Sequence, residues 1–214
     1  MGPLLRSIPA LLIALGATAS AFAGDVPDPS MSTLPAGVAL VGDVAGVADP
    51  AGTFSVIVRF LSGSPVPGAD VVVEFTNCAT DIRVCAGGPP GAVDCPSLTV
   101  HATSDASGFA QFDIRGSARF APATIRGGCA RIYADGVVLG IRPVAAYDLS
   151  GSGGLGPPDI SQWLADYFRS VTEAFHAARS DYDFNGVLSP VDLATFLKVS
   201  FAGQSFSSCS SPCN

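Results

Sequence analysis

Residues 148–168, DLSGSGGLGPPDISQWLADYF, and residues 181–201, DYDFNGVLSPVDLATFLKVSF, are two copies of one pattern, 33 positions apart. Seven positions are identical: Asp148/Asp181, Gly153/Gly186, Leu155/Leu188, Pro157/Pro190, Asp159/Asp192, Leu164/Leu197 and Phe168/Phe201. Ile160/Leu193 and Trp163/Phe196 are conservative pairs. No other feature of the chain constrains its folding as much, because both copies must satisfy one local geometry.

The shared positions are those of a twelve-residue calcium loop. Calcium is a hard cation that takes six to eight oxygen ligands at roughly 2.3–2.6 Å. Such a loop supplies them from positions 1, 3 and 5, the carbonyl of 7, position 9 (often through water) and a carboxylate at 12. Glycine at 6 allows the bend. The second copy offers Asp181, Asp183, Asn185, the Val187 carbonyl, Ser189 and Asp192, with Gly186 at the bend. The first offers Asp148, Ser150, Ser152, the Gly154 carbonyl, Gly156 and Asp159, with Gly153 at the bend. Leu155 and Leu188, at position 8, are expected to meet in a small core between paired loops. The second loop has three carboxylates and an amide; the first has two carboxylates and two hydroxyls. Ligand charge tunes affinity, so two calcium sites are expected, the second tighter. The alternative is a pair of Asp/Gly turns in which Asp159 and Asp192 N-cap the following helices.

Helical periodicity follows each loop. DISQWLADYFRSVTEAFHAARS places Ile160, Trp163, Leu164, Tyr167, Phe168, Val171 and Phe175 at spacings of three and four, so Trp163 and Phe168 read as helix core. DLATFLKVSF does the same with Leu193, Phe196, Leu197 and Phe201. Residues 37–144 have a different texture. TFSVIVRF, ADVVVEF, SLTVHATS, GFAQFDIRG, GGCARIYADG and VVLGIRP are short β-branched and aromatic runs separated by Gly, Pro, Asp and Ser. That pattern predicts a β-sandwich or barrel. CAGGPPGAVDCP reads as a longer loop stapled by Cys85 and Cys95.

Residues 1–23 read as a secretory signal, with Arg6, an apolar run and a small-x-small site at Ala21-Phe22-Ala23; an uncleaved anchor is the alternative. Residues 24–36 read as an exposed leader. No second apolar run approaches ~20 residues, so no membrane span is expected in the mature chain. Six cysteines follow the signal: Cys78, Cys85, Cys95, Cys129, Cys209 and Cys213. An even count behind a signal peptide predicts disulfides in an oxidising compartment; a zinc site is the alternative. Position suggests four bonded within the first domain and a local Cys209–Cys213 clasp in the tail, residues 207–214. A bridge from the tail to the first domain, or to another molecule, is the other option. Net charge is −7 with a single lysine, Lys198, so nucleic acid is not an expected partner.

Two family resemblances rest on these residues. FSVIVRFLSGSPVPGADVVVEF, HATSDASGFAQFDI and GGCARIYADGVVLG resemble bacterial immunoglobulin-like domains of the invasin type. The matching residues are Gly63, Pro65, Val66, Gly68, Val71, Ser104, Asp105, Gly108 and Ala110. The resemblance implies an immunoglobulin-like sandwich over 37–144, acting as a spacer or adhesive module. Residues 145–206 resemble a dockerin of the first type: two loop-helix half-hands, each ending in Asp at position 12, with IRPVAAY leading in without a helix. It implies a small all-α calcium module that docks onto a cohesin-like or other extracellular protein. At loop positions 10 and 11, where that family commonly has Ser-Thr, this chain has Pro157-Pro158 and Pro190-Val191.

Catalytic chemistry finds no motif. His101 and His176 have no recognisable nucleophile partner, and no G-x-S-x-G, H-E-x-x-H or P-loop occurs. Asp113 and Glu74 read as outward-facing strand charges rather than an acid/base pair. The sequence therefore predicts a secreted, non-catalytic protein: a β-sandwich followed by a calcium loop-helix pair that docks a partner. A surface or matrix protein in which calcium only stabilises the C-terminal module is the alternative, as is a carbohydrate-binding accessory protein.

Overall fold

A computed structural model describes residues 26–44, 47–86, 92–119, 128–173, 176–200 and 212–213. The signal segment 1–23, together with Phe175, Phe201 and Cys209, lies outside the described residues. Thirteen strands run in chain order: β1 (Val38–Leu40), β2 (Asp43–Val44), β3 (Val47–Ala48), β4 (Thr53–Ile57), β5 (Asp70–Glu74), β6 (Ile82–Val84) and β7 (Ala92–Asp94). Then come β8 (Thr99–Thr103), β9 (Phe109–Asp113), β10 (Gly116–Ala118), β11 (Ala130–Ala134), β12 (Val137–Arg142) and β13 (Val144–Ala146). Helices α1 (Pro157–Glu173) and α2 (Pro190–Ser200) follow. The fold is β-rich, with these two helices at the C-terminal end.

β12-β11-β5-β8-β7 form one antiparallel sheet, and β4–β9 and β6–β10 form antiparallel pairs. Alternation along each strand decides which side chains go inward. Val71 and Val73 of β5, Ile132 of β11, and Ala110 and Phe112 of β9 are all buried in one cluster. The five-stranded sheet and the β4–β9 pair therefore contribute to the same core. The turn before β9 needs its glycine. Gly108 has φ +76°, and a Cβ there would lie 2.4 Å from the Val58 carbonyl oxygen.

Three features were not visible in the strand pattern. Residues 27–33, read as an exposed leader, pair along the free edge of β4: Thr33 and Ile57 exchange backbone hydrogen bonds of 2.8 and 2.9 Å. β1 pairs in parallel with β13, more than 100 residues away in sequence. The cysteines also pair differently from expectation. Cys78–Cys129 closes within the β region, but Cys95 bonds Cys213, not Cys85, so there is no Cys209–Cys213 clasp. Cys85 is disulfide-bonded as well. The Cys213 N–H donates to Val84, which lays the tail beside β6.

The helical segment packs mainly on the β core, with only a small cluster of its own around Ala177 and Leu188. Trp163, Tyr182, Phe196 and Val199 belong to the same buried cluster as the strand residues. Tyr147, just after β13, stacks on Tyr182 with ring centroids 4.6 Å apart, and Phe196 lies 5.9 Å from Tyr182. α1 turns Trp163 and Asp166 inward, with Ile160 and Tyr167 half-buried. Leu164 and Val171 are exposed, and Phe168 is 60 % exposed, so the expected seven-residue apolar face is narrower than its sequence spacing implied. The inner face is polar where it meets the linker. Asp166 accepts two hydrogen bonds from Arg179, at 2.7 and 2.8 Å, and one from the Ser180 hydroxyl. The Trp163 indole donates to the Ser180 carbonyl at 3.1 Å.

Candidate metal centre

The sequence repeat is also a structural repeat. Gly153 N–H donates to Asp148 Oδ2 at 2.9 Å, and Gly186 N–H donates to Asp181 Oδ2 at 2.9 Å. Ser150 N–H donates to Asp159 Oδ1 at 2.7 Å; Asp183 N–H donates to Asp192 Oδ1 at 3.3 Å. Gly153 and Gly186 take φ of +90° and +86°, the left-handed bend that each loop turns on. Position for position, the two loops fold alike.

Asp159 and Asp192 are third in their helices, not N-caps. Each reaches back to the residue preceding its helix, accepting from Gly156 N–H at 2.8 Å and from Ser189 N–H at 2.9 Å. In the second loop Ser189 Oγ in turn accepts from Val191 N–H at 3.2 Å. This is the reciprocal logic of a capping box, with Pro157 and Pro190 at the first helical positions where no N–H is needed. One carboxylate thus both starts a helix and closes a loop.

The loops part company in their free oxygens. In the first, Asp148 accepts from Ser152 N–H, Gly153 N–H and Ser150 Oγ, and Asp159 from Ser150 and Gly156. Its backbone and hydroxyl donors already serve every carboxylate oxygen. Ser150 and Ser152 bond to each other at 2.9 Å, and Ser152 Oγ donates to the Gly154 carbonyl at 3.3 Å. In the second, Asp181 is 2 % exposed and its Oδ1 has no hydrogen-bond partner, while Oδ2 takes Gly186 N–H and lies 3.2 Å from His176 Nε2. Asp181, Asp183 and Asp192 each present an oxygen within 4.8 Å of the others, the only such trio among the described residues. Asn185 bonds Asp183 and receives Val187 N–H on its own side-chain oxygen, so both stay in the ring of the loop.

The electrostatics follow from that crowding. Burial, opposed by Gly186 N–H, pushes Asp181 above the ordinary carboxylate range, and the charges of Asp192 and Asp183 push the same way. Asp159 is raised too, chiefly by burial and further by Asp148, against its backbone hydrogen bonds. Carboxylates that resist ionisation until a counter-charge arrives are suited to a cation. The donors are hard oxygens, which select a hard ion over a thiophilic one.

Other sequence-stated residues lie elsewhere. Leu188 is buried with Ala177 and Tyr167, whereas Leu155 packs against the main core, so the two position-8 leucines do not share one small core. Glu74 accepts from Thr76 and Tyr133 on the five-stranded sheet, and Asp113 accepts from Thr53 on the β4–β9 pair. They stand in different sheets. His101 lies between Asp70 and Thr99 at 3.2 and 3.0 Å. Sequence reasoning placed His176 on a helix without a partner, whereas it lies beyond α1 and meets Asp181; it passed over the Asp166–Arg179 pair, because no linear pattern marks residues that meet 13 positions apart. No helix among the described residues is long and apolar enough to cross a membrane. The chain matches no family model, no curated protein and no solved structure.

Proposed function

We propose that this is a secreted, non-catalytic calcium-binding protein that docks an extracellular protein through its C-terminal loop-helix pair. In this reading the strands form an immunoglobulin-like sandwich that presents a dockerin-like module. The observation that carries it is the unpartnered, buried Oδ1 of Asp181, itself one of three clustered carboxylates inside a duplicated loop. Asp181, Asp183 and Asp192 would hold the ion, completed by Asn185 and the Val187 carbonyl. The first loop, with its oxygens already served, is the weaker of the two sites. Leu164, Phe168 and Val171 on α1 and Val187 and Val191 at the second loop are exposed apolar groups of the C-terminal segment, and supply the docking surface. The disulfides accord with export.

A second reading is favoured by the shared core and the Cys95–Cys213 bond: the ion only rigidifies a cap that is already fixed to the β region. Calorimetric titration of the oxidised full chain with calcium, followed by capture from extracellular extract with calcium or chelator, tests both. Calcium heat with a calcium-dependent partner supports docking. Calcium heat with no partner leaves the rigidifying reading. No heat in either loop refutes the calcium site itself.

A further inference from the structure

A cavity of about 520 Å³ opens between the end of α2 and the turn that precedes β4. That is within the range of small-molecule pockets. Its walls bring together groups from distant parts of the chain: Asp49, Pro50 and Ala51 from the turn, Tyr147 after β13, and Lys198 and Val199 from α2. Tyr182, second in the second metal loop, also lines it, but none of the proposed metal ligands does. We propose that this cavity is a binding site for a small zwitterion with an apolar body, of the class of a free aliphatic amino acid.

The argument rests on the placement of opposite charges around one cavity. Asp49 spends one carboxylate oxygen on Ala51 N–H, at 2.8 Å, and among the described residues the other takes no donor. Lys198 is the only lysine in the chain, is exposed, and forms no ion pair or hydrogen bond with the described residues. Opposite charges therefore line one cavity without being within 4.0 Å of each other. Tyr147, 3 % exposed, closes the inner side of the cavity. Pro50, Ala51 and Val199 supply apolar wall for the hydrocarbon body.

The complement of this lining carries an ammonium for Asp49, a carboxylate for Lys198 and a hydrocarbon body for the wall. A sugar fits less well. The Tyr147 and Tyr182 rings are stacked on each other and buried, so neither offers a face for a pyranose. A molecule of leucine size, with two charge-assisted bonds, is expected to bind with a dissociation constant on the order of 0.1–1 mM.

The test is titration of the oxidised full chain with L-leucine by calorimetry and saturation-transfer NMR, beside two half-ligands: n-pentylamine, which has only the cation, and isovalerate, which has only the anion. Leucine binding at least tenfold tighter than either half-ligand, weakened about tenfold or more by both Asp49→Asn and Lys198→Gln, is the expected result. Asn keeps the Ala51 hydrogen bond and Lys198 is at the surface, so near-UV circular dichroism should match the parent. No leucine binding at 10 mM, equal binding of leucine and a half-ligand, or a Lys198→Gln protein that binds as well as the parent would each overturn the proposal.

Discussion

Asp183→Asn separates an ion site from a decorative turn, because its effect on stability should depend on calcium. Asp183 is the exposed member of a trio whose oxygens lie within 4.8 Å of one another. At that separation a pair of like charges costs about 3–4 kcal/mol at an effective dielectric near 20 and about 1 kcal/mol in bulk water. Asp183 faces solvent, so the lower figure governs, and removing its charge relieves two pairs. In chelator the variant should therefore be more stable than the parent by about 1–2 kcal/mol. The loop geometry survives, because Asn can still accept the Asn185 N–H that Asp183 holds at 3.1 Å. Calcium at a hundredfold excess over its dissociation constant stabilises the parent by about 2.7 kcal/mol. If the lost ligand charge weakens binding about thirtyfold, the variant gains only about 0.9 kcal/mol under the same conditions. Its lead over the parent should vanish. Differential scanning calorimetry, at roughly 2–4 °C per kcal/mol for a chain of this size, resolves both differences. A calcium increment equal in parent and variant, or absent from both, would refute the reasoning.

Three further predictions concern the frame around the site. Arg179→Met should destabilise the fold by about 3–5 kcal/mol in urea melts, because it strands the buried Asp166 carboxylate; a near-neutral result would show that this pair is solvated. Peptide mapping without reduction should recover Cys95 linked to Cys213, and Cys213→Ser should cost up to about 5 kcal/mol, the loop-closure entropy of a 118-residue separation. Tyr147 ionises near 12 in the folded state, above its unfolded value near 10, so its contribution is complete below pH 10 and lost as pH rises toward 12. Alkaline melts of the parent should therefore lose about 2–3 kcal/mol over that interval, and Tyr147→Phe should flatten the loss.

Local signals in this chain were legible and distant ones were not. The six β-branched runs named from the sequence each contain an observed strand, and both helices begin at the prolines of the repeat. Those elements announce themselves through alternation, period and turn residues. β13 could not be found that way: Val144, Ala145 and Ala146 are all buried, so no alternation marks them, and their partner lies at 38–40. The leader looked exposed because Pro and Ser dominate it, yet an edge strand asks only for backbone groups, and residues 27–33 offer them. The tail cysteines were matched by proximity in sequence, whereas Cys95 and Cys213 meet because the tail returns to β6. On α1 the spacing rule named seven apolar residues without knowing that the β region covers one side only. Asp166, on the covered side, was invisible to a search for apolar periodicity.

The repeat itself shows why symmetry of sequence need not mean symmetry of role. Both loops use the same glycine bend and the same carboxylate at the third helical position, so both can start a helix unaided. What differs is the company each keeps. The first loop is anchored to the β region, where the Asp148 carbonyl accepts from Ala118 N–H at 2.8 Å, and serines at its third and fifth positions help satisfy its carboxylates from within. The second replaces those serines with Asp183 and Asn185, which adds charge and leaves a buried oxygen without a donor. It is held from outside instead, by Tyr182 bonding the Ala146 carbonyl and Arg179 bonding the Arg119 carbonyl. A loop clamped at its flanks can hold repelling carboxylates close together that would spread apart in an isolated peptide. The shared core therefore does more than attach two segments. It keeps the second loop assembled in a geometry that its own charges oppose, so that under the proposed function an ion would meet a site already formed.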